Sequence, residues 1–183
     1  MTLLYERLTG AAWRRVAAPI QSVHAARPTD AHGRFRIDHG RHMLARLLVR
    51  ILQLPAQGVD VDTRLRITAC GNGEHWLRTF NGHRLETRQF ATDDSALAEQ
   101  FGILELRFRL ETSGDSLVYV QHQAALVFGP VRLTLPAVCA PRVDAREDPA
   151  GADAVDVDVH VTLPAIGTLI TYQGRIDVDP THA

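Results

Sequence analysis

The side chains of this chain that could do chemistry are nine histidines, two cysteines and twenty basic residues, all of them arginine. The absence of lysine excludes Schiff-base chemistry and a phosphate-gripping lysine of the Walker type. Arginine instead offers a planar fork that suits carboxylates and phosphates, although a GC-rich coding bias is the simpler cause of an all-arginine set. No metal site is expected. His75 and His83 fall on opposite faces of one hairpin, His39 and His42 straddle Gly40 and a helix start, and His182 lies in the tail. Neither Cys70 nor Cys139 belongs to a CxxC pair, and both read as inert thiols. No G-x-S-x-G elbow occurs, and Ser22, Ser95, Ser113 and Ser116 sit in helix, loop or turn contexts. Asp156 and Asp158 share the wet face of a strand and read as solubility residues. No catalytic residue is assigned.

A sharper constellation surrounds Asn81-Gly82, the strongest two-residue hairpin signal present. A two-residue turn there pairs Phe80 with His83, Arg78 with Leu85 and Trp76 with Thr87. Trp76, Arg78, Phe80, His83 and Leu85 then share one face. This is the more aromatic face, so it is assigned inward. An inward guanidinium must be paired, since burying it alone costs several kcal/mol. A second hairpin, read with the odd loop Ser113-Gly114-Asp115, places Phe108 inward and His122 opposite Leu106 on the inner side. Val143, Ala145 and Glu147 are the less polar face of a further strand, so Glu147 points the way Arg78 does. Two readings follow. Trp76, Arg78, Phe80, His83, Phe108, His122 and Glu147 line a ligand cup, with Arg78 gripping an anionic group. Alternatively, Arg78 pairs with Glu147 and the histidines are satisfied core or rim residues.

The elements that must position these groups change period along the chain. Residues 1–57 read as mainly helical with one strand. Leu4, Leu8, Ala12 and Val16 share a helical face with Thr2 as N-cap, and Pro19 opens a short turn reaching His24. His32 to His39 alternates as a first strand. Arg41 to Gln53 is the clearest helix, with Leu44, Leu47, Leu48, Ile51 and Leu52 as an apolar face expected to pack on the sheet. From 58 to 179 the period is two. Val61, Thr63, Leu65 and Ile67 alternate with charges, as do Val155, Val157, Val159, Val161 and Leu163. Thr92 to Gln100 reads as a loop, and Gly129-Pro130 and Pro136 bracket an irregular segment. The expected fold is α+β in one domain, 1–183. N-terminal helices pack on a large, curved, mostly antiparallel β-sheet that forms a barrel or half-barrel. Helices do not alternate with strands, which disfavours a dinucleotide-binding βαβ fold.

Net charge is −1 with 45% apolar residues, so neither a basic nucleic-acid footprint nor disorder is indicated. The most apolar stretch, Met43 to Leu54, is interrupted by Arg46 and Arg50, and no transmembrane segment is expected. Two cysteines and a non-secretory amino terminus suggest a cytoplasmic protein.

Five ordered blocks carry a family resemblance. They are LYERLTGAAW from Leu4 with Val23-His24 beyond it, EHWLRTF from Glu74 followed by Asn81-Gly82, Phe101-Gly102, APRVDARE from Ala140, and LPAIGTLITYQG from Leu163. Together they resemble the bacterial family called domain of unknown function 4166 over nearly the whole chain. The family occurs alone and appended to NAD-binding reductase-like domains; this chain has only the appended part. The resemblance implies no activity, cofactor or catalytic residue. It does single out the strand of Trp76, Arg78 and Phe80 and the segment with Arg142 and Glu147. The first functional reading is a non-catalytic β-cup for a hydrophobic or amphipathic small molecule, with no cofactor. The alternatives are an accessory module for a reductase-like partner, and an enzyme with a His/Arg site in the cup.

Overall fold

The structure is a computed structural model that describes residues 3–25 and 27–179. The N-cap expected at Thr2 and the tail residue His182 lie outside the described residues. The strands are β1 Thr29–His39, β2 Gly58–Cys70, β3 Gly73–Phe80, β4 His83–Ala91, β5 Leu97–Phe101, β6 Leu104–Ser113, β7 Ser116–Phe128, β8 Val131–Thr134, β9 Arg142–Pro149, β10 Ala154–Leu163 and β11 Gly167–Val178. Pairing is antiparallel throughout and runs β6-β5-β4-β3-β2-β1-β11-β10-β9-β7, and a β6–β7 pairing closes the ring. The result is a ten-stranded antiparallel barrel, with β8 attached outside along β7. The molecule is therefore mostly β, with three short helices.

Closure follows from the alternation. Val61, Thr63, Leu65 and Ile67 are all buried, and the residues between them are polar; an open sheet would leave that apolar face wet. Bulges help the sheet bend: register shifts occur at Phe35/Ile37, Arg107/Phe108 and Val161/Thr162. Gly174 marks a close approach, because a Cβ there would lie 2.6 Å from Cγ of Phe35.

The two ends of the barrel differ. The first end carries the Gly114-Asp115 turn between β6 and β7. There the chain forms α1 (Leu4–Thr9), a tight 3₁₀ segment (Gly10–Arg15) and α2 (Ala18–Ala25), in place of one continuous helix. Gly10, at φ +58, breaks the run. The Ala17 N–H donates to the Asp115 carbonyl at 2.8 Å, and Tyr5, Trp13, Ile20 and His24 are buried.

The second end carries the Asn81-Gly82 turn and α3 (Met43–Ile51). The His42 ring caps α3, accepting from the Leu44 N–H at 3.2 Å. This helix corrects the sequence reading. Ala45 and Val49 are its buried residues, and the long apolar chains face out: Met43 is 82% exposed, Leu47 52% and Ile51 63%.

Two other segments differ from expectation. Thr92 to Gln100 is not all loop, because β5 begins at Leu97 and completes the barrel wall between β4 and β6. The segment after Gly129-Pro130 forms β8.

Candidate functional site inside the barrel

The inner face of β3 reads Glu74, Trp76, Arg78, Phe80. The β3–β4 register is Phe80 with His83, Arg78 with Leu85 and Trp76 with Thr87, as the Asn81-Gly82 turn dictates. Trp76 and Phe80 are 4% and 3% exposed, so this face looks inward. Arg78 lies between them. Its Nη1 donates to Thr87 Oγ1 at 2.9 Å and its Nη2 to Glu99 Oε1 at 3.2 Å, and the guanidinium carbon sits 4.8 Å from the centroid of the Trp76 ring. The expected Arg78–Glu147 pair is thus corrected. The partner is Glu99 on β5, in the stretch read as loop. Burial works against the Arg78 charge, but Glu99 foremost outweighs it and its pKa is raised.

Glu147, on β9, is bound by two other groups. His24 Nε2 lies 2.9 Å from Oε2, and the Tyr119 hydroxyl donates to Oε1 at 2.6 Å. Burial would raise the Glu147 carboxyl, but His24 foremost, then the Tyr119 hydroxyl and Arg78, hold it below its usual range. His24 stacks on Tyr5 at 3.7 Å, and its Nδ1 is buried without a partner. Tyr5 donates to Gln89 Oε1 at 2.6 Å. Both phenolic protons are therefore committed, and the 3.2 Å contact between the Tyr5 and Tyr119 oxygens carries none. Burial, with the Glu147 charge next in order, pushes both phenols well above their normal value. Nearer the first end, Glu74 accepts from Arg27 at 2.5 Å and from the Trp76 indole at 3.1 Å. Inside the barrel, two guanidiniums and His24 face three carboxylates.

Beside this network is a cavity of about 90 Å³. Trp76, Arg78, Phe80, Phe108 and Glu147 line it together with Phe35, Gln89, Glu99 and Tyr172. Tyr172 is half-buried, and its phenol is pushed up to about 12 by desolvation, against the opposing pull of Arg78. Its hydroxyl makes no hydrogen bond among the described residues.

The two histidines of the expected cluster do not reach this cavity. His83 keeps the parity of Phe80 but sits at the barrel's second end, where Nε2 meets the Gln53 carbonyl at 2.7 Å. His122 is not opposite Leu106. The turn is the two-residue Gly114-Asp115, with Ser113 paired to Ser116, so Leu117, Tyr119 and Gln121 face in. A bulge between Gln121 and Gln123 then takes up His122 and returns Ala124 to the inner face opposite Leu106. His122 is left on the exposed side, 3.9 Å from Asp94.

Sequence reasoning missed His24, Tyr5 and Tyr119 because each owes its place to another element's position. Only Glu99 carried a local signal, the alternation of Leu97, Glu99 and Phe101. A larger groove of about 1060 Å³ lies outside, where β7 leaves β9 to pair with β8. It is open to water; in its wall Gln173 donates to Asp158, and His160 meets Thr168 just outside it. Contacts there are weakened by solvent, so the smaller and less open interior cavity is the stronger site. Among the described residues no cluster of metal-ligating side chains occurs, and no helix is long and apolar enough to cross a membrane.

Fold and site together define a closed β-barrel with an interior ionic network beside a small cavity. The chain belongs to the family described as Domain of unknown function (DUF4166), whose model matches residues 17–176. No curated protein and no solved structure matches it.

Proposed function

We propose that the barrel is a non-catalytic binding module for a small amphipathic molecule held in the cavity beside Arg78. The observation that carries this reading is the half-buried Tyr172, whose hydroxyl makes no hydrogen bond among the described residues and which lines the cavity beside Arg78. A hydroxyl that faces a narrow, largely apolar space without a protein partner offers a donor and an acceptor to water or to a guest. A guest's polar atom meets Tyr172 near the Arg78–Glu99 pair, and its apolar part rests on Phe35, Phe80, Val157 and Val159. At about 90 Å³ the space is well below the roughly 300 Å³ of drug-sized sites, which limits the guest to a few heavy atoms. The interior acids and bases are engaged with each other, and no nucleophile faces the space, which favours binding over catalysis.

Native mass spectrometry and solvent extraction of the purified chain test the reading. Ala145→Phe, which fills the cavity from β9, is the control. The wild type should release a small molecule, or bind added phenol, and Ala145→Phe should do neither. A wild type that releases nothing and binds no phenol refutes the reading.

A further inference from the structure

We propose that the second end of the barrel docks on an anionic lipid surface through α3. The helix touches the barrel through Ala45, Val49 and the half-buried Leu48, and presents Met43, Leu44, Leu47 and Ile51 to solvent. At 100° per residue Leu47 lies diametrically opposite the midpoint of Ala45 and Val49, so the apolar face looks directly away from the core. Exposed apolar residues also crowd the strand tips at this end: Val59 opens β2, Ile103 sits in the β5–β6 turn, and Phe128 and Val131 flank the β7–β8 turn. Apart from Val120 and Val138, every large exposed hydrophobic residue described lies on α3, just beyond it at Leu52, on these tips or on β8. Apolar exposure gathered on one end of the barrel, with α3 on the β1–β11 side and the tips around the rim, marks that end as a contact surface.

Charge selects the partner. Arg41, Arg46 and Arg50 are exposed, form no ion pair among the described residues, and share the helix region with no acidic residue. The acids nearby are already taken: Asp38 pairs with Arg36, Asp60 with Arg34 and Asp62 with Arg64. An apolar face flanked by unneutralised cations is the pattern of a helix lying in a bilayer interface. It also opposes pairing with a second copy, whose own α3 would bring the same charges face to face. The outer barrel wall is charged, with Arg66 on Asp30 and Arg175 on Asp156, so contact is confined to this end. Docking does not depend on what the barrel holds.

The full chain is tested by flotation with vesicles of phosphatidylcholine alone and of phosphatidylcholine with about one-third phosphatidylglycerol. It should bind the second and not the first, and more weakly as salt rises. With about fivefold affinity per surface arginine, Arg46→Glu/Arg50→Glu should weaken binding at least twentyfold. Leu47→Asp should weaken it at least tenfold. Both variants alter exposed chains, and unchanged thermal melting confirms that they fold. Failure of the wild type to bind the anionic vesicles overturns the proposal, as does equal binding by folded variants. A concentration-dependent dimer that Leu47→Asp abolishes assigns the face to a second copy of the chain and also overturns it.

Discussion

Replacing His24 with leucine isolates the interior charge balance. Leucine roughly preserves the volume and removes the ring nitrogen that meets Glu147 at 2.9 Å. In the wild type, burial pushes the Glu147 carboxyl up, but His24 foremost, with Tyr119 and Arg78, brings it below its usual 4.5. A carboxyl depressed in the folded state stabilises above its unfolded pKa, and that contribution disappears as pH falls through the folded value. In His24→Leu the burial remains and the main opposing charge is gone, so the folded pKa rises above the unfolded one. Stability is then highest at low pH and falls as pH rises through the folded pKa. The two profiles separate between about pH 4 and pH 7. Removing one member of a buried pair costs roughly 3–5 kcal/mol. The Tyr119 hydrogen bond and Arg78 survive, so the low end applies, about 3 kcal/mol at pH 7. Near pH 4 the difference should shrink to about 1 kcal/mol, the loss of ring stacking on Tyr5. Urea unfolding followed by circular dichroism at several pH values measures it. A difference that is the same at every pH, or a variant as stable as the wild type at pH 7, refutes the assigned coupling.

The three tyrosines of the chain all lie inside the barrel with raised pKa, Tyr172 at about 12. Such a shift leaves stability intact below the unfolded value near 10 and removes it as pH rises toward 12, on the order of 2–3 kcal/mol from Tyr172 alone. Ultraviolet titration should therefore show no tyrosinate until the fold opens, and a tyrosine ionising reversibly near pH 10 in folded protein would contradict the structure. Glu99→Leu leaves the Arg78 guanidinium without its charge partner and should cost about 2–4 kcal/mol in urea unfolding. Arg78→Met combined with Glu99→Leu should recover most of that loss, and a double variant no better than the single one would show that the pair is not coupled.

Legibility from sequence followed the range of the signal. The Asn81-Gly82 turn set a register of two strands because a tight turn leaves no slack, and the inward face of β3 came with it. The second hairpin failed for the same reason in reverse. Ser113-Gly114-Asp115 admits loops of either parity, and the apolar set Val118, Val120, His122 was as regular as the true inner set. The bulge between Gln121 and Gln123 reconciles the two halves of β7, and no local pattern announces it. The helix Arg41 to Gln53 shows a different failure. Its apolar face was legible, but of that face only Leu48 packs on the barrel; Leu44, Leu47, Ile51 and Leu52 stay exposed, because Ala45 and Val49 provide the closer fit.

By itself the sequence determined most of the antiparallel strands, the faces of those whose alternation or turn was unambiguous, and the need to cover the apolar side, since alternation is a property of neighbouring residues. Tertiary structure alone decided that the sheet closes, that Glu99 and not Glu147 answers Arg78, and that His24 from a helix reaches a strand more than a hundred residues away. Those pairings minimise the cost of charge inside the barrel, and that cost depends on which groups share the enclosed space, a quantity no linear spacing contains.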